Sequence, residues 1–408
     1  MSGDLRRARH THTITPTPTP IFMELSFILN ELGENRADYF NAIAPPIIQT
    51  SNFQVRKVDE LRDLFADESS GYLYSRGINP TVDILREKLA ALDRAEDALV
   101  FNSGAAAIFA AVLANIQADE HIVSVNKPYT WAQRMFDNIL PRFNVDTTYV
   151  DGTLLENFAE AIRPNTRIIY LESPNSWTYA LQDLRAVADL ARDHGIITIC
   201  DNSYCTPLYQ RPIEMGIDLA LQSATKYIGG HSDTVAGVLS GSSAMIKKIF
   251  DSEYLNIGSG IQPFNAWLLI RGLRTLSARL ERVSATTPKI VDFLKHHPQV
   301  EKVLFPFDVT FPQYELAREQ MSGACGLLSF YLYADTRQEI VRFCEGLHHI
   351  MMAVSWGGHE SLILPGCASL LDEEFNPDNP AHRVLRLYVG LEDADYLIKD
   401  LERGFESM

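Results

Sequence analysis

The feature that most constrains the fold is a repeated alternation of short apolar runs with helical patterns across the first half of the chain. Leu99-Val100-Phe101, His121–Val125, Arg167–Glu172, Ile196–Asp201 and Leu219-Ala220-Leu221 each read as a strand. A small-residue helix follows Gly104, and Leu184–His194 repeats at helical spacing. Strand and helix in regular succession, joined by short connections, predict an α/β architecture with a mainly parallel central sheet covered on both faces. Ligands of such sheets sit beyond the carboxyl ends of the strands. Gly104, Glu172, Asp201 and Ser223 all fall at those ends.

The last of these strands runs into Ser223-Ala224-Thr225-Lys226-Tyr227-Ile228-Gly229-Gly230-His231-Ser232-Asp233. A lysine after a buried strand is common by itself. Here two hydroxyl residues flank it, and Asp201 ends the apolar strand before it. That set suits pyridoxal phosphate. Lys226 would hold the cofactor as a Schiff base, and Asp201 would keep the pyridine nitrogen protonated. Ser223 and Thr225 are placed to reach the phosphate. Gly104 and Ala105, in the turn Ser103-Gly104-Ala105-Ala106, offer it backbone N–H groups at a helix start.

The string 223–233 resembles the lysine signature of the pyridoxal phosphate enzymes of cysteine and methionine metabolism, the trans-sulfuration family. The resemblance runs from about Tyr39 to the C-terminus. It implies the aspartate-aminotransferase-like arrangement, fold type I, with a smaller α+β C-terminal domain. It implies that Tyr74 and Arg76, in Tyr72-Leu73-Tyr74-Ser75-Arg76, bind the cofactor phosphate from a partner subunit. Tyr129 would stack on the pyridine ring and take part in proton transfer; the family usually follows it with glycine, and here Thr130 follows. Arg386, in Leu385-Arg386-Leu387-Tyr388-Val389-Gly390, would clamp the substrate carboxylate with help from Ser355. Ser176 stands where most of the family has asparagine. The expected assembly is a homotetramer, a dimer of dimers with shared active sites.

The division expected from pattern is a tail over 1–22, an arm over 23–75, a cofactor-binding domain over 76–265 and a C-terminal domain over 266–408. Ala266–Phe293 reads as one long helix, and Gly326–Leu332 and Leu385–Gly390 as strands. The Thr-Pro alternation from Thr15 to Pro20 argues against helix or sheet in the tail. Tyr39–Phe53 is extended, with little core of its own, and is expected to lie on a neighbouring subunit.

A net charge of −16 argues against nucleic-acid or anionic-membrane partners. No apolar run is long enough to span a membrane. Five scattered cysteines suit buried thiols in a reducing, cytoplasmic compartment better than disulfides or a metal site. The substrate is then a small sulfur amino acid. Gly-Ala-Ala-Ala at 104–107, Ser176 and Ser355-Trp356-Gly357-Gly358 are similar to cystathionine β-lyases. Val354, preceding Ser355, is similar to methionine γ-lyases. The expected reaction is carbon–sulfur bond cleavage at Cβ of cystathionine or a related cysteine thioether. Cleavage at Cγ, and O-acylhomoserine sulfhydrylase or γ-synthase chemistry, are the enzyme alternatives. A cofactor-binding regulator or scaffold is the alternative without turnover.

Overall fold

The computed structural model describes residues 23–408. The reading of 1–22 as a tail lies outside them.

Seven strands form the central sheet: β1 Asp97–Phe101, β2 His121–Val125, β3 Asp146–Val150, β4 Thr166–Glu172, β5 Ile197–Asp201, β6 Leu219–Gln222 and β7 Gly237–Gly241. Their spatial order is β1-β7-β6-β5-β4-β2-β3. The pairs from β6 through to β3 are all parallel, and β7 alone runs against its neighbours. Residues 121–125 and 237–241 are buried at every position. That is why these strands read as apolar runs rather than alternating ones: both faces are covered. Glu172 and Asp201 are register partners at the carboxyl ends of β4 and β5, so the pairing brings two carboxylates side by side.

Five further strands, β8 Val300–Leu304, β9 Leu327–Leu332, β10 Met351–Met352, β11 Leu362–Pro365 and β12 Val384–Tyr388, make a second, mostly antiparallel sheet in the order β10-β11-β12-β9-β8. Its core includes Leu328, Phe330, Leu385 and Leu387, packed with Leu397, Leu401 and Phe405 of the last helix, Ala394–Glu406.

The single helix expected over Ala266–Phe293 is two, Pro263–Leu273 and Leu276–His296. The leucine stripe continues through the break, so periodicity gives no warning of it. The first helix packs on the helix Pro80–Asp93. At the junction Arg274 donates to both oxygens of Glu34, at 3.0 and 2.9 Å. Glu34 also pairs with Lys88 at 3.1 Å, both side chains being fully buried.

The segment around Pro45–Ile48 is extended, as expected. Part of it is tied to its own chain. Trp267 Nε1 donates to the Pro45 carbonyl at 2.9 Å, and Thr81 Oγ1 accepts from the Ile48 N–H at 2.9 Å. Among the described residues no helix is long and apolar enough to cross a membrane. All five cysteines are free and buried.

Candidate active site

A cavity of about 420 Å³ opens beyond the carboxyl ends of β4, β5 and β6. Gly104, Tyr129, Ser176, Asp201, Ser223, Lys226, Ser355, Trp356 and Arg386 line it. Nine of the residues singled out from sequence therefore meet at one place, from segments as far apart as 104 and 386.

Lys226 sits in the turn after β6. Its Nζ donates to Ser355 Oγ at 2.5 Å and lies 5.4 Å from the Trp356 ring centre. Burial, reinforced by the Arg386 charge and opposed by Asp201, brings its pKa down to about 8. The loop that carries Ser355 and Trp356 lies directly on the lysine. Gly357 has φ +90, and a Cβ there would come within 2.8 Å of the Lys226 Cα. Only glycine fits that approach. Ser355 is itself left-handed, with φ 79, an uncommon conformation for a residue with a side chain.

Asp201 is 6% exposed. Its Oδ1 accepts the Ser203 N–H at 2.9 Å, and Oδ2 accepts no hydrogen bond among the described residues. Burial raises its pKa, against the Ser203 hydrogen bonds and the Lys226 charge. A buried carboxylate with one free oxygen suits a protonated ring nitrogen. Ser203 also orders the neighbouring turn, since its Oγ accepts the Ser223 N–H at 2.6 Å.

Glu172 is buried beside Asp201. Its two oxygens accept one N–H each, from Tyr129 at 2.5 Å and Ser176 at 2.7 Å. Burial first, and then repulsion from Asp201, push it up. Its role is legible in the contacts: it fixes the backbone under the Tyr129 ring. Burial likewise raises the Tyr129 phenol, with Asp201 and Glu172 adding to the effect.

The phosphate end of the cavity is a cradle. The helix Gly104–Leu113 starts there, capped by the Ser103 side chain on Ala106 N–H at 3.1 Å. The N–H groups of Gly104 and Ala105 and the Ser223 hydroxyl have no partner among the described residues. A Cβ on Gly104 would press on Ser223 at 3.2 Å. Free donors at a helix N-terminus are what a phosphate needs. The donor set, the free Asp201 oxygen and the lysine together fit pyridoxal phosphate.

Arg386 stands on β12, between the core-facing Leu385 and Leu387, and is 9% exposed. Its guanidinium carbon lies 4.7 Å from the Trp177 ring centre, and Nη1 donates to the Ser176 carbonyl at 3.5 Å. Burial pulls its pKa down.

Besides Ala105, whose expected part is its backbone N–H, three of the expected residues are not among those that line this cavity. The Thr225 hydroxyl is turned to the Ala236 backbone, accepting its N–H at 3.0 Å and donating to its carbonyl at 3.2 Å. Tyr74 and Arg76 lie elsewhere on the same chain. Tyr74 is 47% exposed, with the Arg76 guanidinium 5.7 Å from its ring centre. Sequence reading missed Ser203, Trp131, Arg134 and Trp177, which also line the cavity. For Ser203 a signal exists, two residues after the acid. The others are helix or loop residues whose placement only the fold reveals.

The chain is similar to known proteins in sequence and in fold. The model of the Cys/Met metabolism PLP-dependent enzyme family matches residues 28–406. L-methionine gamma-lyase of Treponema denticola is 36% identical over 377 residues, covering 90% of this chain and 94% of that protein. Cystathionine beta-lyase MetC of Bacillus subtilis is 34% identical over 371 residues, covering 90% of this chain and 92% of that protein. The crystal structure of metB from Corynebacterium glutamicum superposes with a TM-score of 0.86 at 31% identity, covering 94% of this chain and 98% of that one. The chain therefore belongs to the Cys/Met metabolism family of PLP-dependent enzymes. Its cofactor is pyridoxal 5'-phosphate, its fold is type I, and its class is that of the carbon–sulfur lyases.

Proposed function

We propose that this lyase cleaves the Cβ–S bond of cystathionine or a related cysteine thioether, releasing a thiol, pyruvate and ammonia. The observation that carries this choice is the wall around Lys226. Trp356 is only 6% exposed and stands 5.4 Å from the lysine nitrogen, while the side of the mouth next to it is the uncharged, exposed Val354. A rigid indole narrows the space beside Cα. Val354 offers no charge to draw in the amino group of an extended substrate.

Pyridoxal phosphate, when bound, supplies electron withdrawal from Cα of an amino acid joined to it through its amine. The remaining roles fall to the chain. Lys226 is the residue that would hold the cofactor, and its free amine would take the Cα proton from a position beside that carbon. A lysine brought down to about 8 is partly neutral at physiological pH. Ser355, at 2.5 Å, orients its nitrogen. Arg386 and Ser355 bind the substrate carboxylate, with Ser176 beside them. Asp201 would keep the ring nitrogen protonated. Tyr129 would stack on the ring and pass a proton at the leaving sulfur. Gly104, Ala105 and Ser223 would hold the phosphate.

The exposed Tyr74 and Arg76, which do not line their own cavity, support a shared site in which they complete a partner's phosphate cradle. We infer a homotetramer built from such dimers, working in the cytoplasm on free amino acids.

The test is direct. Purified protein with pyridoxal phosphate is incubated with cystathionine, cysteine, methionine or O-acetylhomoserine, and keto acids and thiols are assayed. Pyruvate from cystathionine as the main product is expected. Mainly 2-oxobutyrate, from cystathionine or methionine, replaces this reading with cleavage at Cγ.

A further inference from the structure

Arg386 is a buried cation with few polar partners. It is 9% exposed and forms no ion pair among the described residues. Its one hydrogen bond among them is the 3.5 Å contact to the Ser176 carbonyl. A guanidinium carries five N–H donors, so one long hydrogen bond leaves its orientation poorly fixed. What it does have is an indole. Its central carbon lies over Trp177, 4.7 Å from the ring centre. Both residues line the cavity. A cation over an indole face is attracted more strongly as water is excluded. Held there, it keeps its edge N–H groups for a carboxylate.

Trp177 is in turn held at both of its backbone groups. Its N–H donates to Asn175 Oδ1 at 3.0 Å, and Asn175 Nδ2 donates to the Lys127 carbonyl at 2.9 Å. Its carbonyl accepts from Ser329 Oγ at 3.1 Å. Ser329 has one hydroxyl proton and gives it to that carbonyl, so the Tyr179 hydroxyl, at 3.0 Å, is the donor to Ser329. Ser329 and Tyr179 are both fully buried. Ser329 is the register partner of Arg386 between β9 and β12, and Leu364 of β11 is its partner on the other side. Residues directly opposite share a face of the sheet. One row across three strands therefore carries both the cation and the anchor of the ring it lies over. Tyr179 closes the turn with φ +58, a conformation rare for a bulky side chain. An aromatic residue on a cavity wall needs no role beyond filling space. What sets this one apart is that its backbone is tied to the strand beside the arginine, through a turn that carries strain.

We propose that Trp177 is a positioning residue for the substrate's α-carboxylate: its indole, anchored through Ser329, sets the Arg386 guanidinium so that the edge donors meet the carboxylate, and the enzyme thereby selects amino acids over the corresponding amines. The inference rests on the reading of Arg386 as the carboxylate clamp, and its test separates the two. The holoenzyme is titrated with L-norleucine, which has no sulfur to lose, and with pentylamine, the same chain without the carboxylate; the cofactor absorbance reports binding. The expected result is a preference for norleucine that falls by roughly tenfold in Trp177→Leu, about 1.4 kcal/mol, through norleucine alone. Trp177→Phe keeps a ring beside the cation and should restore most of that preference. Ser329→Ala frees the Trp177 carbonyl and should lower it in the same direction by less. A Trp177→Leu that keeps the preference or weakens both ligands alike overturns the positioning role, and so does a Trp177→Phe no better than Trp177→Leu. Arg386→Gln is measured alongside. If it erases the preference while Trp177→Leu leaves it intact, the clamp stands and the role of Trp177 falls. If Arg386→Gln itself leaves the preference intact, the carboxylate is bound elsewhere and both fall.

Discussion

Glu34→Gln should destabilise this protein strongly although it lies outside the cavity. The Glu34 carboxylate is the only acid paired with Lys88 among the described residues, at 3.1 Å, and both side chains are fully buried. The substitution keeps the shape and removes the charge. Lys88 is then left with the carbonyls of Ile28 and Leu29, at 3.0 and 3.4 Å. Two responses are open to it. Remaining charged without a partner costs about 3–5 kcal/mol. Losing its proton at pH near 7.5 means titrating about three units below its ordinary value, about 4 kcal/mol. The routes agree. With an unfolding entropy of about 2.1 cal/mol/K per residue, a chain of this size loses about 1.2 °C per kcal/mol, so Tm should fall by about 4–6 °C. Thermal unfolding at fixed protein and cofactor concentration reads it. The pH dependence has a definite sign. Burial already holds Lys88 below its ordinary value. Without Glu34 that depression deepens, so the native state binds fewer protons than the unfolded chain. The penalty is then fully present at low pH and fades as pH rises toward about 10.4. The gap to the unaltered protein should therefore narrow as pH rises toward the ordinary lysine value. Glu34→Gln combined with Lys88→Met removes both members of the buried pair and should recover the part of the loss that Lys88 causes, while Arg274 still lacks its carboxylate. A Tm within about 1 °C of the unaltered protein, or a double variant no better than the single one, refutes the reasoning.

Mixing inactive Arg76→Ala and Lys226→Ala subunits should restore part of the activity, because a mixed dimer carries one intact site; no recovery with subunit exchange demonstrated rules out sharing. Trp356→Leu with Val354→Glu should raise the ratio of 2-oxobutyrate to pyruvate from cystathionine, and an unchanged ratio removes these residues from reaction choice. The rate at which apoprotein takes up pyridoxal phosphate should climb with pH and level off above about 8, since only a neutral Lys226 amine adds to the aldehyde; stopped-flow absorbance follows it, and a plateau reached only near the ordinary lysine value contradicts the lowered pKa.

The chemistry-bearing ends of strands were legible because special residues interrupt apolar runs there: Asp201 after Cys200, and Ser223 and Lys226 after Leu221. Strand β2 falls on His121–Val125, as its run predicts. Two strands of the same sheet left no such mark. β3, Asp146–Val150, lies at the sheet edge with two threonines and partial exposure. β7 is bounded by Gly237 and Gly241, with only three residues between them to mark a strand, and it inserts antiparallel between β1 and β6. The break between Leu273 and Leu276 was hidden because the apolar stripe persists through it, while the contact that organises it, Arg274 to Glu34, spans 240 positions. Within the cavity, what pattern does not encode is which way a side chain turns. Thr225 belongs to the lysine string and yet serves the Ala236 backbone. Arg134 looks like any helix-surface cation until the fold brings it onto the cavity wall.

Lys226 lies in the turn after β6 of the seven-stranded sheet and Arg386 on β12 of the five-stranded one, and the loop carrying Gly357 packs directly on the lysine. A substrate bound as proposed would therefore bridge elements of both sheets, whose residues also meet in one apolar core, with Val100 and Val238 on one side and Leu327 and Tyr388 on the other. Occupancy feeds into the durability of the whole molecule: a ligand at a hundred times its Kd adds about 2.7 kcal/mol to the resistance against unfolding. A long-lived enzyme is then one kept supplied. Without substrate the seam keeps its own hydrogen bonds, among them Tyr204 to the Leu327 carbonyl at 3.1 Å and the Gly326 N–H to the Tyr227 hydroxyl at 2.8 Å, and a protease-resistance assay with and without substrate reads what occupancy adds to them.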